Sequence, residues 1–372
     1  MTLSALPDKL GERIIFFGLP IVQAYHLLCG SVFLNVAPED ARGVEKVASY
    51  ALAPVHYLLC GQTAEKVAEE DAEYTYSFKP RFSYGEHFLV KTATSFVVLP
   101  LSAGVGAAIK AASYLFPETR DRYLAMKKDQ DSLCVRPNLD YYQSIGLNIQ
   151  DVETAPFIPP PSYVRRPGDE SHMSAEKECL KEIVSILRAN KIPFWIDCGT
   201  CLGAMRYGGI IPWDWDLDLA VLQPDFENVK HALNALDKEK YMVQDWSGRD
   251  KPGSYLKVFV KGTSTLIDIY HFAIEPNKKV VRSVFSNEFS PFFPESLKIR
   301  ERRYTVATPF DNIFPLKRAH FDGIEVAVPG MTKEYLQARY GHDIGPAKVY
   351  DATTGRYEKD LSHPYWNIAH AR

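Results

Sequence analysis

Residues 194–222, FWIDCGTCLGAMRYGGIIPWDWDLDLAVL, decide how the chain is read. Phe194, Trp195 and Ile196 form an apolar run of the length of a short buried strand. Gly199 and Thr200 break it. The small-residue stretch from Gly203 to Arg206 reads as a turn, and Gly208-Gly209 as a second break. Acid and apolar residues then alternate through Asp214, Trp215, Asp216, Leu217, Asp218 and Leu219. On a strand, side chains two apart share a face. Asp214, Asp216 and Asp218 therefore point one way, and Trp215, Leu217 and Leu219 the other. Carboxylates at neighbouring positions of one face repel, an arrangement that is costly unless a cation sits among them. An all-oxygen cluster suits Mg²⁺ or Mn²⁺, held by carboxylates together with phosphates of a substrate.

A second stretch fits the same chemistry. Residues 264–274, STLIDIYHFAI, read as a strand that carries Asp268 between Ile267 and Ile269. An acid inside an apolar strand is rare unless it is paired or bound to a metal. The expected metal ligands are Asp216, Asp218 and Asp268, with Asp214 as an orienting group or a base. Backbone N–H groups around Gly199, Thr200 and Gly203 are expected to hold phosphate, and Arg206 to make a bidentate contact with it. Against each reading stands a bland one. The acidic face is solvated, Arg206 is a surface arginine, Trp213 packs in the core or a seam, and Lys257 and Lys261 line a strand edge. For His271, just past Asp268, a structural place outweighs a role as base.

The segment Gly199-Thr200-Cys201-Leu202-Gly203-Ala204-Met205-Arg206, continued by Ile211-Pro212-Trp213-Asp214-x-Asp216-x-Asp218, resembles the LicD/fukutin-type family of the nucleotidyltransferase superfamily. Ile313-Phe314-Pro315-Leu316, Phe321-x-Gly323-Ile324 and Tyr335-Leu336 to Tyr340-Gly341 are similar to its C-terminal blocks. The resemblance spans residues 173–341. It implies a metal-dependent phosphotransferase that moves phosphocholine or a polyol phosphate from a CDP-linked donor to a glycan or glycolipid acceptor, and it matches the family's DxD to Asp216 and Asp218. Trp215 stands where many members carry another acid, and Cys201 where an aliphatic residue is usual. These departures leave the acidic face whole and bear on donor choice. A nucleotidyl transfer from an NTP to a small molecule, protein or RNA is the alternative on the same fold. A non-catalytic membrane scaffold is the alternative from another class.

At 372 residues the chain has room for two domains, and its net charge of −3 leaves no basic footprint for nucleic acid. Six cysteines, at 29, 60, 134, 179, 198 and 201, show no disulfide-framework spacing. Cys198-x-x-Cys201 is the one CxxC, and its place inside the motif argues against a redox pair. Residues 14–38, 47–64 and 92–109 hold no charged side chain, each near the ~20 residues that cross a bilayer. Pro20, Gln23, His26, Pro54, His56 and Pro100 dilute them, while Lys9, Arg13, Lys91 and Lys110 flank them without fixing an orientation. The expectation is membrane association of residues 1–125, by insertion or in plane, against a buried helical domain. Residues 126–172, polar and rich in proline, read as a linker. An α/β (α+β) catalytic domain of nucleotidyltransferase type with a mixed sheet follows over 173–345, and a tail over 346–372. A helix is expected from 174 to 190 and another from 225 to 236. The resemblance places the catalytic domain in the cytoplasm of a bacterium or the Golgi lumen of a eukaryote.

Overall fold

The computed structural model describes residues 24–25, 27–70, 73–132, 138–150, 152–159, 161, 163–263 and 265–367. Lys9, Arg13, Pro20, Gln23, His26, Cys134 and Ser264, with residues 14–23 of the first uncharged run, lie outside the described residues. The chain forms two compact units. One holds residues 1–135 with Arg249–Pro252, and the other holds 136–248 and 253–372.

Among its described residues the first unit is mostly helical, as its apolar runs predict. It contains α1 (Gly43–Val55), β1 (Gln62–Glu70), β2 (Glu73–Pro80), α2 (Phe88–Ser113) and α3 (Pro117–Ser132). The uncharged run at 47–64 is not one long helix. Pro54 stands in the last turn of α1, a π turn follows over His56–Cys60, and Gly61 takes φ 69 before β1 begins. Left-handed backbone at that point suits glycine, which has no Cβ to clash. β1 and β2 pair as an antiparallel hairpin. Leu34, Val36, Ala41, Ala64, Tyr76, Tyr123 and Met126 form a core between hairpin and α3.

The second unit begins earlier than its composition suggests. The proline-rich stretch is not a loose linker. α4 (Leu139–Ser144) buries Tyr142, whose hydroxyl donates to Asp225 Oδ2 at 2.6 Å, and Leu147 is buried in the same core. α5 (Ser174–Ala189) is the expected amphipathic helix, burying Leu180, Ile183, Val184 and Leu187. Next come β3 (Phe194–Ile196), α6 (Cys198–Tyr207), β4 (Asp216–Leu222) and α7 (Phe226–Ala232). The second expected helix is thus shorter than 225–236, with 3-10 turns at both its ends. β5 (Tyr241–Asp245), β6 (Tyr255–Val260), β7 (Leu266–Glu275) and β8 (Val280–Ser283) follow.

The main sheet runs β3-β4-β7-β6-β5, with β8 on the far end of β7. β4 and β7 are parallel, and every other pair in it is antiparallel, so the sheet is mixed. α5 lies against β4, β6 and β7. Trp195, Leu219, Val221, Leu256, Val258, Ile267 and Ile269 are buried in the core. Helix α8 (Glu295–Arg302), the strand pair β9 (Lys317–Phe321) and β10 (Ile324–Val328), and α9 (Thr332–Tyr340) complete the unit. The described part of the tail, residues 346–367, packs onto this unit. β11 (Lys348–Asp351) and β12 (Arg356–Lys359) form a hairpin whose Tyr357 hydroxyl donates to Asp169 Oδ2 at 2.6 Å.

One expectation at the centre is corrected. Residues 198–207 are not a turn between strands but a ten-residue helix, with Asp197 at its N-cap and Gly208 at φ 66 ending it. The glycines inside it serve close packing. A Cβ on Gly199 would stand 2.4 Å from Asp214 Oδ2, and one on Gly203 would stand 2.5 Å from the Gly209 carbonyl oxygen. Composition alone does not separate a glycine that turns the chain from one that lets another segment approach.

Candidate active site

Asp216 opens β4 and Asp218 follows two residues later, on the same face. The parallel register sets Asp218 opposite Asp268 of β7. One carboxylate oxygen from each of Asp216, Asp218 and Asp268 lies within 4.8 Å of the other two. Asp214 precedes the strand, and its side chain bonds that of Asp216. These groups stand in a cleft of about 730 Å³, whose wall includes Asp197, Gly199, Trp246, Tyr255, Arg300 and Tyr304.

The electrostatics are one-sided. Burial raises the Asp218 carboxyl well above its usual range, and the neighbouring acids raise it further. Asp216 is pushed up to about 7, first by burial and then by the charges of Asp214 and Asp268. Burial also raises Asp214 and Asp268. The counter-charge on the cluster is Lys257, whose Nζ lies 3.1 Å from Asp268 Oδ1 and partly offsets that rise. Three gathered carboxylates against one ammonium leave an excess of buried negative charge, and an all-oxygen donor set fits a hard divalent cation. The residues therefore fit Mg²⁺ or Mn²⁺.

Other side chains hold this face in place. The Asp218 N–H donates to Thr200 Oγ1 at 2.7 Å, and Thr200 is buried. Thr200 thus ties α6 to β4 through its side chain. The N–H groups of the first turn of α6, at Gly199 and Thr200, have no acceptor within the helix. Asp197 accepts a 2.6 Å bond from Tyr335 Oη, which in turn accepts one from Trp195 Nε1 at 3.2 Å. Arg339, almost fully buried, stacks 3.7 Å from the Tyr335 ring centroid.

Arg206, expected to contact phosphate, lines the same cleft. It is buried, and its Nε and Nη2 donate to the carbonyls of Ile344 and Gly345 at 2.7 and 2.5 Å. It clasps the segment after α9 to α6. His271 faces the opposite side of the sheet from Asp268, packs edge-on against Phe226, and is driven down to about 3 by burial. It stays neutral and remote from the acids. Lys261 reaches the Lys238 carbonyl at 2.6 Å. Trp213 is half-buried, edge-on to Tyr357 and 4.9 Å below the Lys348 ammonium. Cys198 and Cys201 are free thiols that burial raises well above their usual range, so neither has thiolate character.

Several cleft residues escaped the sequence reading. Arg300 and Arg303 lie in a charged stretch that reads as a solvated helix face, and Tyr304 and Trp366 carry no periodicity. The cluster Lys298, Arg300, Arg302, Arg303 just before Tyr304 was the available signal. Tyr255 and Tyr270 stack 5.1 Å apart beside Asp268.

Residues 191–331 match the model of the LicD/FKTN/FKRP nucleotidyltransferase domain. That stretch of the chain is similar to a LicD-type nucleotidyltransferase domain. The acidic triad falls wholly within that span, and α9 lies beyond it. An uncharacterized protein of Rickettsia prowazekii is 28% identical over 165 residues, 44% of this chain and 53% of that protein. The mouse ribitol 5-phosphate transferase FKRP is 25% identical over 46% of this chain, and the mouse ribitol-5-phosphate transferase FKTN 26% over 47%. The chain aligns with 32% and 34% of the length of those two transferases.

Proposed function

We propose that the LicD-type domain transfers a phospho-alcohol from a CDP-activated donor to a hydroxyl of a glycan or glycolipid, with Mg²⁺ or Mn²⁺ as cofactor. The observation that carries this reading is the triad of Asp216, Asp218 and Asp268, gathered within 4.8 Å on the floor of a cleft large enough for a nucleotide. The similarity to two ribitol-phosphate transferases supports the same reaction class.

Asp216, Asp218 and Asp268 would hold the divalent ion, which would supply Lewis-acid stabilisation of a diphosphate. Lys257 adds a positive charge at the edge of the same cluster, aimed at Asp268 and flanked by the Trp246 and Tyr255 rings. The first-turn N–H groups of α6 favour an anion at that helix end. Arg300 and Arg303 on the cleft wall provide guanidinium groups for the outer phosphate. Asp214 is the base: raised by burial, it takes the proton of the acceptor hydroxyl as that oxygen attacks phosphorus. CMP then leaves.

The test is a panel of CDP-linked choline and polyol donors incubated with glycan acceptors, followed by analysis of both products. Metal-dependent CMP release with a phospho-alcohol gained by the acceptor supports the reading. Pyrophosphate release from an NTP, with no CMP from any CDP-linked donor, replaces it with nucleotidyl transfer.

A further inference from the structure

Helix α2 has two unlike faces. One is packed: Ser102, Gly106, Lys110 and Ser113 are buried. Ser102 Oγ donates to the Ala51 carbonyl of α1 at 2.5 Å, and Lys110 Nζ donates to the carbonyls of Ser31 and Leu34. Gly106 lets Leu52 come so near that a Cβ would stand 2.6 Å from its Cγ. The other face is bare. Leu89, Phe96, Val97 and Leu101 are 69–78% exposed, and Val90, Val98 and Val105 are exposed beside them. At helical spacing these residues cover an arc of roughly 200°. No acid, lysine or arginine occurs from 92 to 109, a stretch about 27 Å long as helix. Leu115 and Phe116 extend the exposed apolar surface past the helix end.

A strip of this size is more than a soluble surface leaves uncovered. Its chemistry selects the cover. A protein partner would meet polar groups on or around such a strip. Here the hydroxyl on the bare side, Thr94 Oγ1, is turned back to the Val90 carbonyl at 2.7 Å, which leaves hydrocarbon outward. Hydrocarbon of a lipid leaflet fits it.

The fold also decides how the helix meets the lipid. Ser49, midway along α1, donates to the Val36 carbonyl at 2.9 Å, and Val36 bridges Ala64 of β1. The next residue, Glu65, pairs with Lys79 of β2, whose side chain is exposed. A two-stranded sheet bearing the charged Glu65 and the exposed Lys79 thus stands behind the middle of the helix pair. Charged side chains at the centre of a bilayer are costly. A crossing α2 would carry that hairpin to the bilayer centre.

We infer that the bare face of α2 seats the protein in plane in one lipid leaflet, as a monotopic anchor that does not cross the membrane. The embedded side chains are Leu89, Phe96, Val97, Leu101 and Val105. The packed face, the hairpin and α3 stay on the water side.

Two experiments on the full chain test this. In flotation with phosphatidylcholine vesicles, the unaltered protein rises with the lipid. The combined variant Phe96→Glu, Val97→Glu, Leu101→Glu should bind about tenfold less or weaker still, with its circular dichroism unchanged. For topology, the natural cysteines are replaced and Glu86→Cys or Arg120→Cys is introduced, one before α2 and one after it. Both thiols should react with a membrane-impermeant maleimide in intact vesicles. Reaction of one position only after permeabilisation means that α2 crosses, and overturns the inference. An unaltered protein that stays soluble beside vesicles also overturns it. Its mass in sedimentation then shows whether a second copy or the chain's own first 23 residues covers the face.

Discussion

At the scale of single residues, the acids by the cleft are held in a state the isolated protein does not favour. Asp216 rises to about 7 in the fold, against a value near 4 in an unfolded chain. Between these two values the folded protein binds more protons than the unfolded one, so stability falls as pH rises. Thermal melts in chelator should therefore decline as pH rises from about 4 through about 7. Saturating Mg²⁺ should remove most of that slope, because it neutralises the ionised cluster and binds more tightly as the carboxylates lose their protons. Asp216→Asn and Asp218→Asn should each melt no lower than the unaltered protein in chelator at pH 8, while losing the Mg²⁺-dependent shift and turnover. Full turnover in either variant, or in excess chelator, would remove the metal assignment. The cysteines make a contrasting case. Changing Cys198 and Cys201 together to alanine should leave turnover within about threefold, since both thiols are held neutral, Cys201 in the core and Cys198 at the cleft wall. A loss that followed the redox potential of the buffer would bring the CxxC back into the chemistry.

At the scale of the element, α6 is the part that places the acids. Its two glycines separate two kinds of effect. The nearest atom to a Cβ on Gly203 is the Gly209 carbonyl oxygen, part of the backbone, which cannot swing aside. Gly203→Ala should lower stability by about 1–3 kcal/mol, read as a lower midpoint in urea. The nearest atom to a Cβ on Gly199 is the end of the Asp214 side chain, which can rotate. Gly199→Ala should then keep most of the stability and lose turnover, because Asp214 is displaced from the acceptor side of the site. Equal losses of stability in the two variants would show that Asp214 does not move and that the helix itself shifts.

At the scale of the whole molecule, the boundary between the units follows buried side chains rather than composition. Tyr142 and Leu147 lie in the core of the second unit, and Tyr142 bonds Asp225. A fragment starting at residue 136 keeps them, while one starting at residue 173 loses both. The longer fragment should be soluble and melt in one transition. The shorter one should be less stable by about 2–5 kcal/mol, or fail to fold, measured by urea unfolding of both side by side. Similar midpoints would mean that α4 and the proline-rich stretch add nothing to the core.

The sequence by itself carried the acidic face. Strand alternation is a local property, so Asp214, Asp216 and Asp218 were legible as one set, and Asp268 stood out as an acid in an apolar strand. The amphipathic α5 and the uncharged runs were legible for the same reason, since periodicity and charge need no knowledge of neighbours. What joined Asp268 to Asp218 was the parallel register of β4 and β7, a contact across fifty residues that no local pattern encodes. Tertiary contacts also reversed several local readings. Gly199 and Gly203 looked like turn residues because glycine permits turns, yet here they permit close approach within a helix. Arg206 read as an anion contact from its place in the motif, and in the fold two of its nitrogens also clasp backbone carbonyls at the cleft wall. The proline-rich stretch looked like a linker until Tyr142 and Leu147 were found in the core. In each case the side chain's chemistry was plain from the sequence, and only the packed chain decided which partner it met.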